Sequence, residues 1–129
     1  GEDLAGLTNI SIALTSGDCL PGQDGSNIPE VPSGINGSGT GYSRVSINNP
    51  QIVKDFWTYV GSGEVENSGN ILFNPCVLDW GMVSGIAILD SPTYGEGNLL
   101  YFGQLAHQRL VYTGDTMKYD AETLSVCLV

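Results

Sequence analysis

The chain has 129 residues, and fourteen Asp and Glu residues outnumber four Lys and Arg residues, which gives a formal net charge of −10. The basic residues are scattered singly, whereas phosphate contacts need clustered Lys and Arg, so nucleic acid and anionic membranes are excluded as expected partners. Eighteen Gly and six Pro, with only 14 % charged residues, indicate short strands joined by tight turns rather than a helical bundle.

The length and the cysteines set the organisation that we expect. A chain of this size buries one core, so residues 1–129 are predicted to form a single domain. Cys19, Cys76 and Cys127 form no CxxC motif, which argues against a zinc site and favours reduced thiols and intracellular assembly. No signal peptide or apolar run of about 20 residues is visible, so no membrane is expected as a partner.

The N-terminal third contains one clear strand pattern and one long loop pattern. Residues 9–14 alternate, with Ile10, Ile12 and Leu14 on one face, which predicts a half-buried strand. Residues 18–41 are rich in Gly, Ser, Asn and Pro and are predicted to form a surface loop or arm that buries little. A loop of this length is a first candidate for reaching a partner.

The middle of the chain alternates strand and turn patterns. Residues 41–47 alternate and end at an Asn-Asn-Pro turn, and the aromatic-rich residues 54–60 are consistent with a further strand. Residues 61–70 read as a turn region, and residues 70–75 as a short extended segment.

Residues 82–89 form the most apolar strand pattern. Neither face carries a charge, so we expect a strand that is covered on both sides or central in a sheet. Gly85 and Ala87 leave one face nearly bare, which permits close approach by another layer. The loop at 91–98 is too short for a crossover, so residues 99–103 are predicted to pair back antiparallel.

Three more strands are predicted before the C-terminus, at residues 109–113, 116–119 and 123–129, with a turn at Gly114-Asp115. Seven or eight short strands in total, with no convincing amphipathic helix, predict an all-β, antiparallel β-sandwich.

Catalytic and metal-binding patterns are weak. His107 is the sole histidine, and no GxSxG elbow accompanies it, so a hydrolase triad is not expected. The glycine cluster at 34–41 lacks the GK[ST] ending of a phosphate loop. Asp18, Asp24 and Glu30 do not have the spacing of a calcium loop. We therefore expect no enzyme activity, no cofactor and no metal.

Aromatic and apolar residues are the remaining candidates for function. Aromatic side chains can form a sugar platform or a protein interface, although core packing accounts for most of them. The candidate interface residues are Trp57, Tyr59, Tyr94, and Ile28 and Ile35 of the 18–41 loop.

An ordered set of short motifs occupies the chain from residue 41 onward. In chain order they are Gly-Tyr-Ser-Arg (41–44), Asp-Trp-Gly (79–81), Asp90, Gly-Asn-Leu-Leu (97–100), Gly-Asp-Thr (114–116) and Leu-Ser-Val-Cys-Leu (124–128). This order resembles that of a family of small bacteriophage virion structural proteins, often labelled phage tail fibre proteins. The resemblance covers about residues 41–129, and it implies a structural, non-enzymatic role.

The position in the virion is a separate expectation. The chain has no repeats to build a fibre shaft, and its acidity suits an outer surface away from packaged DNA. We therefore expect a capsid decoration or cement protein that binds the major capsid protein or another virion protein, forms a homo-oligomer and is assembled in the host cytoplasm. The alternatives are a tail fibre or tail-associated component and a carbohydrate-binding host-recognition module.

Overall fold

The computed structural model describes residues 10–20, 22–31, 40–47, 57–61, 64–67, 70–119 and 125–128. In chain order its strands are β1 (Ile10–Thr15), β2 (Val45–Ile47), β3 (Trp57–Gly61), β4 (Glu64–Asn67), β5 (Ile71–Leu72), β6 (Gly81–Leu89), β7 (Leu99–Val111), β8 (Lys118–Tyr119) and β9 (Ser125–Leu128). The all-β class is confirmed. Nowhere in these ranges does a helix have the length and apolar character needed to cross a membrane.

Seven of these strands lie in one antiparallel sheet, in the order β2-β1-β6-β7-β9-β4-β3, and β5 and β8 pair as a small second sheet. The antiparallel pairing is as predicted. The sandwich is not confirmed, because the strands that it would divide between two layers are hydrogen-bonded side by side in the main sheet.

Strand β6 is central and covered on both faces, as its uncharged sequence predicts. It pairs with β1 on one side and with β7 on the other. Ile86 and Ile88 face the larger core cluster, while Ala87 and Leu89 face a second, smaller one. At Gly85 an added Cβ would lie 2.6 Å from Thr15 Oγ1 and 2.7 Å from Phe102 Cε1, so the bare position admits the Phe102 ring.

Strand β1 is fully buried, so the prediction of a half-buried strand is wrong. All six of its residues are buried. The second face is covered because Cys19 and Ile28 pack with Ala13 of β1. The loop expected to bury little is therefore, over residues 22–31, a covering segment of the core.

This covering segment, residues 22–31, is held to β1 by main-chain hydrogen bonds. Ser16 N donates to Pro29 O at 2.8 Å, and Val31 N donates to Leu14 O at 3.1 Å. Residues 32–39 of the predicted arm lie outside the described residues. The alternation in β1 predicts one apolar face, and the other face of the strand is buried by the covering segment.

Strand β7 is longer than predicted. Residues 99–103 and 109–113 were expected as two strands, but β7 runs unbroken over Leu99–Val111. It stays paired with β6 through a register shift between Val83 and Gly85, where β7 accommodates extra residues. His107 lies within this strand and is exposed.

Strand β4 replaces part of the turn region predicted at 61–70. Its sequence, Glu-Val-Glu-Asn, has little apolar content of its own. It pairs with β3 on one side and with β9 on the other. Its extended form thus depends on two neighbours, one of which lies some sixty residues away in the chain.

Candidate functional site: an apolar end of the main sheet

The predicted interface residues occupy different surroundings. Ile28 is 8 % exposed and packs in the second core cluster with Ala13 and Leu89. Trp57 and Tyr59 lie in β3, opposite Asn67 and Val65 of β4. Ile35 lies outside the described residues. The structure thus assigns Ile28 to the core and leaves the other positions as predictions.

Tyr94 is half-buried and holds the covering segment. Its hydroxyl donates to the main-chain oxygen of Glu30 at 3.1 Å. Its ring packs edge to face on Tyr42, with centroids 5.9 Å apart. Burial, the larger effect, and the nearby Glu30 carboxylate raise the pKa of Tyr94. These contacts make Tyr94 a link between the 91–98 loop and the covering segment.

A buried ion pair lies beneath this link. Arg44 Nη2 lies 2.8 Å from Glu30 Oε1, and Arg44 Nε lies 2.9 Å from Glu30 Oε2, which is a two-pronged pairing. The Arg44 side chain is 0 % exposed and that of Glu30 is 3 % exposed. Arg44 Nη1 also donates to the main-chain oxygens of Ser91, at 2.7 Å, and Glu96, at 2.9 Å.

Tyr42 completes this network. Its hydroxyl donates to Glu30 Oε2 and accepts a hydrogen bond from Leu14 N at 3.1 Å. Burial and the Glu30 carboxylate raise the pKa of Tyr42 well above its ordinary value. Because the charges are buried and hydrogen-bonded to each other and to main chain, the network holds together the covering segment, the residues before β2 and the 91–98 loop.

The sequence analysis did not predict this network, because it considered Glu30 only as a calcium ligand. The signal in the sequence was an isolated acid and an isolated base, Glu30 and Arg44, within otherwise uncharged stretches.

A small depression lies on the second face of the sheet. It has a volume of about 100 Å³ and is lined by Asp18, Ser84, Gln104, Leu105 and Gln108. Gln104 Nε2 donates to Asp18 Oδ1 at 2.8 Å across it. Small-molecule sites usually have roughly 300 Å³ or more. Within the described ranges, no group of three His, Cys, Asp or Glu side chains is placed to hold a metal ion.

Exposed apolar side chains concentrate at one end of the main sheet, where β6 begins and β7 ends. Seven large apolar side chains of the described residues are exposed, and five of them lie at this end. We call these five the apolar end: Val77 at 56 %, Leu78 at 52 %, Met82 at 38 %, Leu110 at 44 % and Tyr112 at 53 % exposed.

Strand pairing explains how this surface forms. Met82 and Leu110 are register partners in β6 and β7, so their side chains are neighbours on one face. Tyr112 comes directly after the last residue of β7, Val111. The segment carrying Val77 and Leu78 joins the same end, since Trp80 N donates to Val111 O at 3.0 Å and Gly114 N donates to Cys76 O at 2.8 Å.

Two acidic side chains at the apolar end are held by hydrogen bonds and by one ion pair. Asp79 Oδ1 accepts hydrogen bonds from Thr113 N at 2.7 Å and Thr113 Oγ1 at 2.9 Å. Asp115 Oδ2 accepts one from Tyr112 N at 2.9 Å and lies 3.8 Å from Arg109 Nη2. Two acids and one base therefore lie here, on a chain whose overall charge is −10.

An exposed apolar surface on a well-packed all-β domain is typical of proteins that act by binding other proteins. Comparison with protein families gives the class of this one, a bacteriophage virion structural protein. The chain belongs to the family described as podophage GP4 fiber I protein gp80, whose model matches residues 1–127. The resemblance noted over residues 41–129 is confirmed, and the match extends into the N-terminal part. The chain matches none of the curated proteins with which it was compared.

Proposed function

We propose that the protein is a structural component of a phage fibre, held in the particle by contacts with other virion proteins and with further copies of itself, and without enzymatic activity. The observation that carries this proposal is the match to a fibre protein family over residues 1–127. The family match favours the fibre alternative over capsid decoration, which rested on the acidity of the chain and its lack of repeats. A short chain can serve as one domain of a fibre without building the shaft.

The described structure supports a role in contact rather than in chemistry. Glu30 and Arg44, the one ion pair that is fully buried among the described residues, are saturated by each other and by main-chain groups. Five of the seven large apolar side chains that are exposed among the described residues lie at one end. A surface of this kind is suited to bind another protein. Tyr94, considered as a sugar platform, uses both its ring and its hydroxyl in contacts within the chain.

Immunogold labelling of intact particles tests the position. An antibody raised against the purified chain should place gold on the fibres, at the tail. Particles of an unrelated phage, treated alike, control for adventitious binding. Gold spread over the head would contradict the fibre proposal and support capsid decoration.

A further inference from the structure

We propose that the covering segment, residues 22–31, opens away from the second face of the main sheet as one unit while the sheet stays folded, and that Glu30 is the residue that holds it closed. The inference goes beyond the proposed function and does not depend on where in the virion the protein sits. It gives the chain a second conformation, in which Ala13, Ala87 and Leu89 of the main sheet are uncovered.

The first argument is that the covering segment contributes few apolar side chains to the core. Of its residues, Ile28 lies in the second core cluster and Val31 in the larger one. Among the described residues the second core cluster has five buried members, two of them alanines, whereas the larger cluster has sixteen. Because hydrophobic stabilisation grows with the apolar area that is buried, opening the covering segment loses much less of it than unfolding the sheet does.

The second argument is that polar contacts of the covering segment converge on Glu30. Its carboxylate accepts hydrogen bonds from the Tyr42 hydroxyl and from two nitrogens of Arg44, Nε at 2.9 Å and Nη2 at 2.8 Å. Its main-chain oxygen accepts a hydrogen bond from the Tyr94 hydroxyl at 3.1 Å. Three side chains from elsewhere in the chain therefore meet at this one residue.

Two of these partners are anchored in the rest of the chain without Glu30. Tyr42 belongs to the larger core cluster, and its hydroxyl accepts a hydrogen bond from Leu14 N at 3.1 Å. Arg44 donates through Nη1 to two main-chain oxygens of the 91–98 loop. Opening therefore separates the Glu30 carboxylate from groups that stay in place, and it admits water to both charges, so neither charge is left buried alone.

Native-state hydrogen exchange of the full chain, in urea below the unfolding transition, tests the inference. Three amides report on the covering segment, because their hydrogen bonds tie it to other parts of the chain: Ser16 N to Pro29 O, Gly25 N to Gly97 O and Val31 N to Leu14 O. The amides of β6, which is paired on both sides, report on unfolding of the sheet. The three segment amides should share one free energy of opening, lower than that of β6 and less dependent on urea.

Two variants separate opening from unfolding. Glu30→Gln keeps the size of the side chain but leaves Arg44 buried without its anion in the closed form, so it should speed exchange of the three segment amides, and of β6, roughly a hundredfold. Val126→Ala is the matched control, because Val126 is buried in the larger core cluster and has no part in the second. It weakens the open and closed forms alike, so it should speed exchange of β6 roughly tenfold and leave the segment amides unchanged.

Tyr94→Phe removes only the hydrogen bond to the Glu30 main-chain oxygen, and it keeps the test open if Glu30→Gln does not fold. It should speed exchange of the segment amides roughly fivefold. The inference is overturned by segment amides that share the free energy of β6, or by three different free energies of opening. It is equally overturned by equal acceleration of the segment and β6 in Val126→Ala, or by unchanged segment exchange in both Glu30→Gln and Tyr94→Phe.

The Cys19 thiol gives an independent readout of opening. It lies with Ile28 in the second core cluster, and burial raises its pKa from 9.0 to about 12, so the thiol is unreactive while the segment is closed. Labelling by iodoacetamide, followed by peptide mass spectrometry, should give Cys19 the same free energy of opening as the three segment amides. A labelling rate at Cys19 that does not rise in Glu30→Gln would contradict the inference.

Discussion

Arg44 and Glu30 show how a buried charge pair can stabilise one arrangement of a fold. Taking both charges out of water is costly, and their attraction offsets the cost only with good geometry and further hydrogen bonds. Here the pairing is two-pronged, and Arg44 Nη1 reaches two main-chain oxygens, those of Ser91 and Glu96. The pair therefore specifies where the covering segment and the 91–98 loop sit relative to β2.

Arg44→Met should lower the free energy of unfolding by about 3–5 kcal/mol, because it leaves the Glu30 carboxylate buried without its cation. Urea denaturation followed by tryptophan fluorescence measures this change. The double variant Glu30→Gln with Arg44→Met should lose less than the sum of the two single changes, because the two residues share one interaction.

Arg109→Met is the control for this prediction. Arg109 Nη2 lies 3.8 Å from Asp115 Oδ2, and its side chain is 56 % exposed. An exposed pair of this kind stabilises by about 0–1 kcal/mol. Equal losses for Arg44→Met and Arg109→Met would show that burial of the Glu30–Arg44 pair does not increase its contribution to the free energy of unfolding.

At the scale of elements, the covering segment buries the second face of the main sheet, as a second sheet would in a sandwich. It closes the second face of the sheet over Ala13, Ala87 and Leu89. It also reaches the 91–98 loop, where Gly25 N donates to Gly97 O at 2.8 Å. At Gly25 an added Cβ would overlap the Glu96 carbonyl oxygen. The two loops therefore meet so closely that glycine is required there.

Gly25→Ala should push the covering segment away from the 91–98 loop and cost about 1–3 kcal/mol of stability, since main chain must move to admit the methyl group. Hydrogen exchange should show faster exchange of the amides of residues 22–31. Gly17→Ala is the comparison, because its added Cβ would meet only Pro29 Cγ, at 3.8 Å. Unchanged protection in Gly25→Ala would show that the close approach is not needed to hold the segment.

At the scale of the whole molecule, buried groups couple stability to alkaline pH. Burial, the main cause, together with Asp18 and Glu30, raises the pKa of the Cys19 thiol from 9.0 to about 12. Burial raises the pKa of Tyr119 from 10.0 to about 12. Both groups bind protons more tightly in the folded chain than in the unfolded chain. Their contribution to the free energy of unfolding is therefore complete below pH 9.0 and is lost as the pH rises towards about 12.

The free energy of unfolding should therefore be level up to about pH 8.5 and fall between about pH 9 and 12. Urea midpoints measured across this range test the prediction. In Cys19→Ala the fall that begins near pH 9.0, the ordinary thiol pKa, should be shallower, while the part due to tyrosine remains. Stability that rises with pH in this range would contradict the burial of these groups.

Net charge and exposed apolar area also belong to this scale. A chain with a net charge of −10 repels other copies of itself in solution. Five of the seven large apolar side chains that are exposed in the described part of the chain lie at the apolar end. An exposed apolar surface of this kind is suited to contact with another protein, which agrees with the proposed role in a virion.

The strands that could be predicted are those whose signal is local. Residues 9–14 and 82–89 show their faces by alternation or by unbroken apolar character, and β1 and β6 form there. The 91–98 loop is too short for anything but an antiparallel return, which the β6–β7 pairing confirms. The resemblance to a phage virion family likewise depended on an order of motifs that can be read along the chain.

The sequence by itself determined the all-β class, the central strand and the family, because side-chain alternation, turn residues and motif order are properties of neighbouring residues. Only the tertiary structure decided the burial of the covering segment, the extended form of β4, the Glu30–Arg44 pair and the apolar end. Each of these joins residues far apart in the chain, such as Leu14 with Val31 or Met82 with Leu110. Pairings of this kind depend on geometry and desolvation in three dimensions, which no local pattern encodes.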